Sequence, residues 1–272
     1  SAGSHMELMT ADALHDKQLR AFDLGSLRHA SPPAPPCRGD AFLRASHVRF
    51  SYRGEPLLLD DVSLSAWKGE VIALIGRNGS GKTTLGKVLT GLIPCRDGRF
   101  IVAGSQVRQK RLSNYAYFVM QEADHQLYKE SAVEELRLGN ERASDIDERI
   151  AGILDMLNLT DFAQHHPYAL SGGQKQRLTI GTAMASSKPI VVLDEPTSGL
   201  DWGNMCAVAQ AINQLRESGR LVFVITHDIE LVDLTATRVL ALAEGRIADD
   251  FPLSSQAALE RTRQIMLGGG LL

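Results

Sequence analysis

Gly76-Arg77-Asn78-Gly79-Ser80-Gly81-Lys82-Thr83 is the stretch on which the reading of this chain turns. It fits the pattern GxxxxGK[ST], directly after the apolar run Val71 to Ile75 and directly before a helical stretch from Lys82 to Leu92. The run has the unbroken apolarity of a strand buried on both faces. The glycines let the backbone curl so that successive N–H groups point inward at phosphate oxygens. The helix that follows adds its positive N-terminal end. In this setting Lys82 reaches the β- and γ-phosphates and Thr83 offers its hydroxyl to Mg²⁺. Thr84 completes the set expected to touch the nucleotide.

Working outward, strand signals flank the loop. Phe42 to Tyr52 carries Val48, Phe50 and Tyr52 at period two, and Val62, Leu64 and Ala66 repeat the pattern after a turn. Asp97-Gly98 is expected to be a hairpin turn. From residue 131 the period becomes helical, with Ile146, Ile150, Ile153, Leu154 and Leu157 on one face. A helix is expected over Ser171 to Ser187 and another over Trp202 to Ser218. Buried strands are expected at Ile190 to Leu193, Leu221 to Ile225 and Val239 to Ala243. Strands separated by a helix read as a βαβ crossover and hence a parallel core sheet.

Two further segments carry chemistry. Ile190-Val191-Val192-Leu193-Asp194-Glu195 is an apolar strand ending in two carboxylates. Asp194 is placed to hold Mg²⁺, directly or through water. Glu195 is placed to orient or deprotonate a water attacking the γ-phosphate. In Leu170-Ser171-Gly172-Gly173-Gln174-Lys175-Gln176-Arg177, Ser171 is a good N-cap. Gly172 and Gly173 leave the first-turn amides open, which makes a second anion site.

Those eight residues match the signature of ATP-binding-cassette (ABC) ATPases without a substitution, and the chain from about residue 41 to 250 resembles such a domain. The resemblance implies an α/β fold: a P-loop NTPase (RecA-like) parallel-sheet core, an N-terminal antiparallel β subdomain and an inserted α-helical subdomain at about 122–187. It implies ATP and Mg²⁺ as ligands. It makes Gln121, after the expected strand Tyr115 to Met120, the glutamine loop, a catalytic and metal position, and His227 the switch histidine. Tyr52 becomes the aromatic that stacks on adenine. Ser198-Gly199-Leu200-Asp201 becomes the loop that crosses to a partner. Two such domains would close head to tail, with Gly76 to Thr84 of one and Ser171 to Gln174 and Asp201 of the other on one nucleotide. A transmembrane subunit would be the other partner, placing the chain peripherally at the cytoplasmic face of the membrane.

The stretch Gln121-Glu122-Ala123-Asp124-His125-Gln126-Leu127-Tyr128 resembles the energy-coupling-factor (ECF) importers of vitamins and of cobalt or nickel ions, with Ala123 as a departure where many relatives have proline. Trp202 to Met205 and Asp250-Phe251-Pro252-Leu253 look like the second half of fused double ATPases in that group. Gln126, Leu127 and Tyr128 are expected at a groove that receives a short helix of the membrane protein, with Tyr128 as anchor. The competing assignment puts Leu127 and Tyr128 in the core. A generic ABC importer or exporter is the alternative. A soluble ABC ATPase acting on ribosomes or DNA fits less well, because no sustained heptads lie between Thr83 and Leu170.

Composition sets the outer bounds. The chain has 272 residues and a formal net charge of -3. This disfavours nucleic-acid binding through bulk positive charge, and no nucleic-acid partner is expected, but a local basic patch is compatible. No apolar run approaches the roughly 18 residues of a membrane-spanning helix. Cys37, Cys95 and Cys206 form no CxxC pair, so neither zinc nor a disulfide framework is indicated. Ser1 to His5 read as a tag remnant. Residues 6–40 read as an extension or interdomain linker with a stiff proline spacer at 31–36, and 251–272 as a C-terminal tail. Linker and second-half features together lead to the expectation of another ABC ATPase domain upstream.

Overall fold

A computed structural model describes residues 39–141 and 144–268. The tag remnant, the proline spacer and Cys37 lie outside the described residues. Val71–Ile75 forms β3, with all five residues buried. It lies inside a six-stranded sheet of order β10-β9-β3-β8-β7-β6. In this sheet β6 (Ala116–Val119), β7 (Ile190–Asp194), β3, β8 (Leu221–Ile225) and β9 (Arg238–Ala243) pair in parallel. The edge strand β10 (Arg246–Pro252) runs antiparallel to β9. β7 and β8 are also buried at every position, which is why their sequences show no alternation.

A second sheet, β2-β1-β4-β5, is antiparallel. It contains β1 (Leu43–Phe50), β2 (Leu59–Ala66), β4 (Asp97–Val102) and β5 (Ser105–Val107). The first helix after the glycine-rich loop, α1 (Lys82–Leu89), contributes Leu85, Val88 and Leu89 to a core shared by both sheets. Gly86 lets α1 approach the parallel sheet. A Cβ there would stand 3.0 Å from Phe118 and Val192 and 3.1 Å from Ile225. The helix ends before the expected Leu92, because Thr90 caps back onto the Gly86 carbonyl and Gly91 turns left-handed at φ 75°.

The expected hairpin turn at Asp97-Gly98 is not there. Asp97 lies in β4 opposite Arg49. Its carboxylate accepts the Gly98 N–H at 2.8 Å, a local closure and not a chain reversal. The reversal occurs at Ala103-Gly104, where both residues have positive φ, as a two-residue hairpin requires. Ala103 gives no such signal in sequence.

Between β6 and β7 the chain turns helical. α2 (Ala132–Arg137), α3 (Ile146–Met156) and α4 (Gly172–Ala185) pack together, and α3 buries Ile146, Ile150, Ile153 and Leu154 as their spacing predicts. α4 joins this insert to the sheet, since Tyr117 Oη on β6 donates to Thr182 Oγ1 at 3.0 Å. Then follow α5 (Trp202–Glu217), α6 (Ile229–Thr235) and α7 (Gln256–Met266). The boundary expected at 250 falls inside β10. Residues beyond it do not trail away: Leu259 and Ile265 of α7 are buried with Phe251 and Leu253. No helix among the described residues is long and apolar enough to cross a membrane.

Candidate nucleotide site

The carboxyl ends of β3, β6, β7 and β8 converge on one cleft of about 510 Å³, the usual place for ligands in open parallel sheets. Asn78, Gly79, Gly81, Lys82, Thr83 and Thr84 line it from the loop. Gln121 enters after β6, Asp194, Glu195 and Ser198 at and after β7, and His227 after β8. The loop needs its glycines. Gly76 has φ 145°, and a Cβ there would run into the Leu242 carbonyl. Gly81 has φ 100°, and a Cβ there would meet Leu59 at 2.8 Å. Leu58, arriving from the antiparallel sheet, lines the same cleft.

Lys82 is held inside the loop, its Nζ donating to the carbonyls of Gly76 at 2.7 Å and Arg77 at 3.0 Å. Burial lowers its pKa, against the opposing pull of Glu195 and Asp194. Ser80 Oγ is buried with no hydrogen-bond partner among the described residues. Thr83 Oγ1 donates to Asp194 Oδ1 at 3.1 Å. A hydroxyl beside one carboxylate, with the Gln121 amide on the same cleft, is a hard oxygen donor set. It suits Mg²⁺, which takes one or two protein carboxylates and completes its shell with water and phosphate.

Burial pushes the Asp194 carboxyl up, partly offset by the Thr83 hydrogen bond and by Lys87 and Lys82. Burial likewise raises Glu195. His227 is lowered, first by burial and then by Lys82. Glu195 also has an unusual backbone, left-handed at φ 48°. The neighbours hold it there: its N–H donates to Ile225 O at 2.8 Å, and its carbonyl accepts Gln176 Nε2 at 3.4 Å.

The other expected residues lie outside the cleft lining. Ser171 caps α4 in a capping box with Gln174: Gln174 N donates to Ser171 Oγ at 3.3 Å and Ser171 N to Gln174 Oε1 at 2.8 Å. Ser171 and Gly172 are exposed. Asp201 caps α5, accepting from Asn204 N at 2.9 Å. Tyr52 is 51% exposed and its hydroxyl stands 3.4 Å from Thr84 Oγ1, so it borders the cleft.

Of the docking trio, Leu127 is 3% exposed and part of the helical core, whereas Tyr128 is 74% exposed. Gln126 holds the β6 backbone at Phe118 O and Met120 N, at 2.7 and 2.9 Å. Leu127 therefore does not belong to an open groove; its neighbours on the helical insert enclose it. Sequence reasoning also missed Leu58, which has no chemical signature, and the hold of Gln176 on Glu195. It missed the bond from Thr197 Oγ1 to Asp228 Oδ2 at 3.1 Å, which ties the loop after β7 to the cap of α6.

Comparison with known proteins identifies the family. A family model described as ABC transporter matches residues 59–198. A protein of Treponema denticola named as an ABC transporter ATP-binding protein is 39% identical over 213 residues, covering 78% of this chain and 43% of that protein. Bacillus subtilis YkoD, named for HMP/thiamine import, is 33% identical over 215 residues, covering 78% of this chain and 39% of that protein. This chain thus spans about two-fifths of the length of these relatives. The cassette MJ0796, solved as a dimer in a post-hydrolysis state with ADP and Pi, superposes with a TM-score of 0.70 at 28% identity, over 78% of this chain and 99% of that one. The chain belongs to the ABC transporter family, as one of its ATP-binding cassettes.

Proposed function

We propose that this cassette binds ATP with Mg²⁺, hydrolyses it at the face between two cassettes, and energises a membrane importer. One observation carries the reading: Thr83 Oγ1 lies 3.1 Å from Asp194, and His227 Nε2 lies 3.6 Å from Glu195, on a single cleft with Lys82. The backbone N–H groups of the loop and the Lys82 ammonium bind and orient the phosphates. Thr83, Asp194 and Gln121 are the groups that would hold Mg²⁺, which when bound supplies positive charge at the β- and γ-phosphate oxygens. Glu195 orients the attacking water and takes up its proton, its raised pKa favouring that transfer. His227, neutral and beside Glu195, holds the water's surroundings in register. Tyr52 offers its ring to the adenine.

Pairing is supported by the exposed first turn of α4, a capped helix N-terminus that lies outside its own cleft, and by the dimer of MJ0796. Head-to-tail closure would set Ser171 to Gln174 and Asp201 on the neighbour's nucleotide. The partner would be a second ABC ATPase domain, from a further copy, a relative or a longer native chain. The importer assignment, as an ECF-type system for a vitamin or for cobalt or nickel at the cytoplasmic face of the membrane, is supported by the sequence from Gln121 to Tyr128 and by the likeness to YkoD. The deciding experiment is Glu195→Gln. With Mg-ATP this variant should keep binding, lose turnover and elute as a dimer in size-exclusion chromatography. Wild-type turnover per chain should rise with protein concentration. Full turnover in the variant would overturn the reading.

A further inference from the structure

The overall charge of -3 hides a strong local asymmetry. Between Thr83 and Gln121 the only acidic residue is Asp97, against Lys87, Arg96, Arg99, Arg108, Lys110 and Arg111. All of these bases except Lys87 are exposed. Those five make no ion pair among the described residues. Arg96 lies just before β4 and Arg99 on it, Arg108 follows β5, and Lys110 and Arg111 sit on the 3-10 helix Gln109–Asn114. Arg99 and Arg108 flank a groove of about 350 Å³ together with Gln106 and Gln109. The one carboxylate of this stretch, Asp97, is turned to its own backbone at Gly98.

Gln109 links this surface to a second feature. Its Nε2 donates to Val88 O at 3.2 Å and Ile93 O at 2.7 Å, which clamps the loop after α1 against the 3-10 helix. That loop presents Leu92, 48% exposed, and the exposed Pro94. Lys188 adds a further cation at the other end of the 3-10 helix, where its Nζ donates to Ser113 O at 2.8 Å and Asn114 O at 3.1 Å.

We propose that this face seats on an anionic lipid surface. Exposed cations spread over the β4–β5 hairpin and an adjoining helix, with an apolar loop beside them, match a headgroup layer. The guanidinium forks of Arg99 and Arg108 take lipid phosphates, and Leu92 enters the layer beneath. The patch lies outside the nucleotide cleft and touches none of its residues' roles. The inference goes beyond the importer reading and needs no transport partner to test.

Co-sedimentation of the full chain with vesicles decides it. The chain should bind a two-to-one mixture of phosphatidylcholine and phosphatidylglycerol and leave pure phosphatidylcholine vesicles unbound. Binding should fall as salt is raised. The variant Arg99→Gln/Arg108→Gln/Arg111→Gln should lower the partition coefficient by roughly a hundredfold, at about fivefold per lost charge near the surface. All three side chains are exposed, so melting temperature and basal ATP turnover should match wild type. Equal binding to both vesicle types, no binding to either, or wild-type binding by the triple variant would each overturn the proposal. So would displacement by inorganic phosphate far beyond that by chloride of equal ionic strength, which would make the groove a free-phosphate site. Loss of turnover with vesicle binding intact would instead strike the ATPase reading alone.

Discussion

Nε2 of His227 stands 3.6 Å from Oε1 of Glu195, and the two residues follow neighbouring parallel strands, β7 and β8. The register fixes this meeting, because Asp194 lies opposite Ile225 and each strand then delivers its functional group within two residues. Burial drives the two pKa values toward each other, Glu195 upward and His227 downward. In both residues burial favours the uncharged form of the group.

Turnover plotted against pH should therefore show an acid limb above the ordinary glutamate value of 4.5. Below that limb Glu195 is protonated and cannot accept from water. Glu195→Gln should remove turnover by at least about a hundredfold. An acid limb at or below the ordinary value would separate Glu195 from the rate-limiting proton transfer.

His227 should titrate by NMR below the ordinary histidine value of 6.5. The neutral ring is the form present at pH 7, and His227→Ala should lower turnover by roughly a hundredfold. A ring that titrates above 6.5 would contradict the burial and the Lys82 field assigned to it.

Asp194 is a stability liability at neutral pH. Its carboxyl is raised above 3.8 in the folded chain. The folded state thus favours the protonated form, and the stability from that proton is fully present below the unfolded pKa and lost as pH rises through the folded one. Asp194→Asn should raise the melting temperature of the nucleotide-free chain at pH 7 by roughly 2–4 °C, the shift that about 1 kcal/mol gives in chains of similar size. The gain should shrink as pH falls toward 3.8. A variant that melts lower at pH 7 would show that the Thr83 hydrogen bond outweighs the burial.

Saturating Mg-ATP should raise the melting temperature by several degrees, since ligand at a hundred times its dissociation constant adds about 2.7 kcal/mol. Lys82→Ala should remove most of that rise while leaving the nucleotide-free chain folded, because a buried ammonium is lost. A rise that survives the substitution would place the nucleotide elsewhere.

Leu127 and Tyr128 are adjacent and should behave oppositely. Leu127→Ala empties part of the helical core and should cost about 2–5 kcal/mol in denaturant unfolding. Tyr128→Ala removes an exposed ring and should stay within about 0.5 kcal/mol. Equal losses would mean that Tyr128 is packed after all.

The sequence made the parallel core and the cleft readable because each depends on local signals. The four- and five-residue apolar runs are too short for helices and so read as buried strands, and the glycine-rich loop needs Gly76 and Gly81 in conformations that other residues rarely adopt. Asp194 and Glu195 were visible as charges at the end of an apolar run. The reversal at Ala103-Gly104 was hidden, because Ala103 is held left-handed by the strands on either side and not by its own preference. The same holds for Leu127 and Tyr128, which differ in what the helical insert lays over them and hardly at all in residue type. Gln176 reads as one more polar residue of a helix until the fold brings it to Glu195. Leu58 enters the cleft only because the antiparallel sheet folds over the loop.

The left-handed backbone of Glu195 sets heat resistance and work against each other over evolutionary time. A glutamate at φ 48° is strained by about 1–3 kcal/mol, which a glycine or an asparagine would largely relieve. Either replacement also removes a buried carboxylate with a raised pKa. Random variation screened only for thermal hardiness would thus drift away from glutamate at this position, and on the proposed reading away from turnover. Heat resistance alone would not favour a glutamate at φ 48° in this loop.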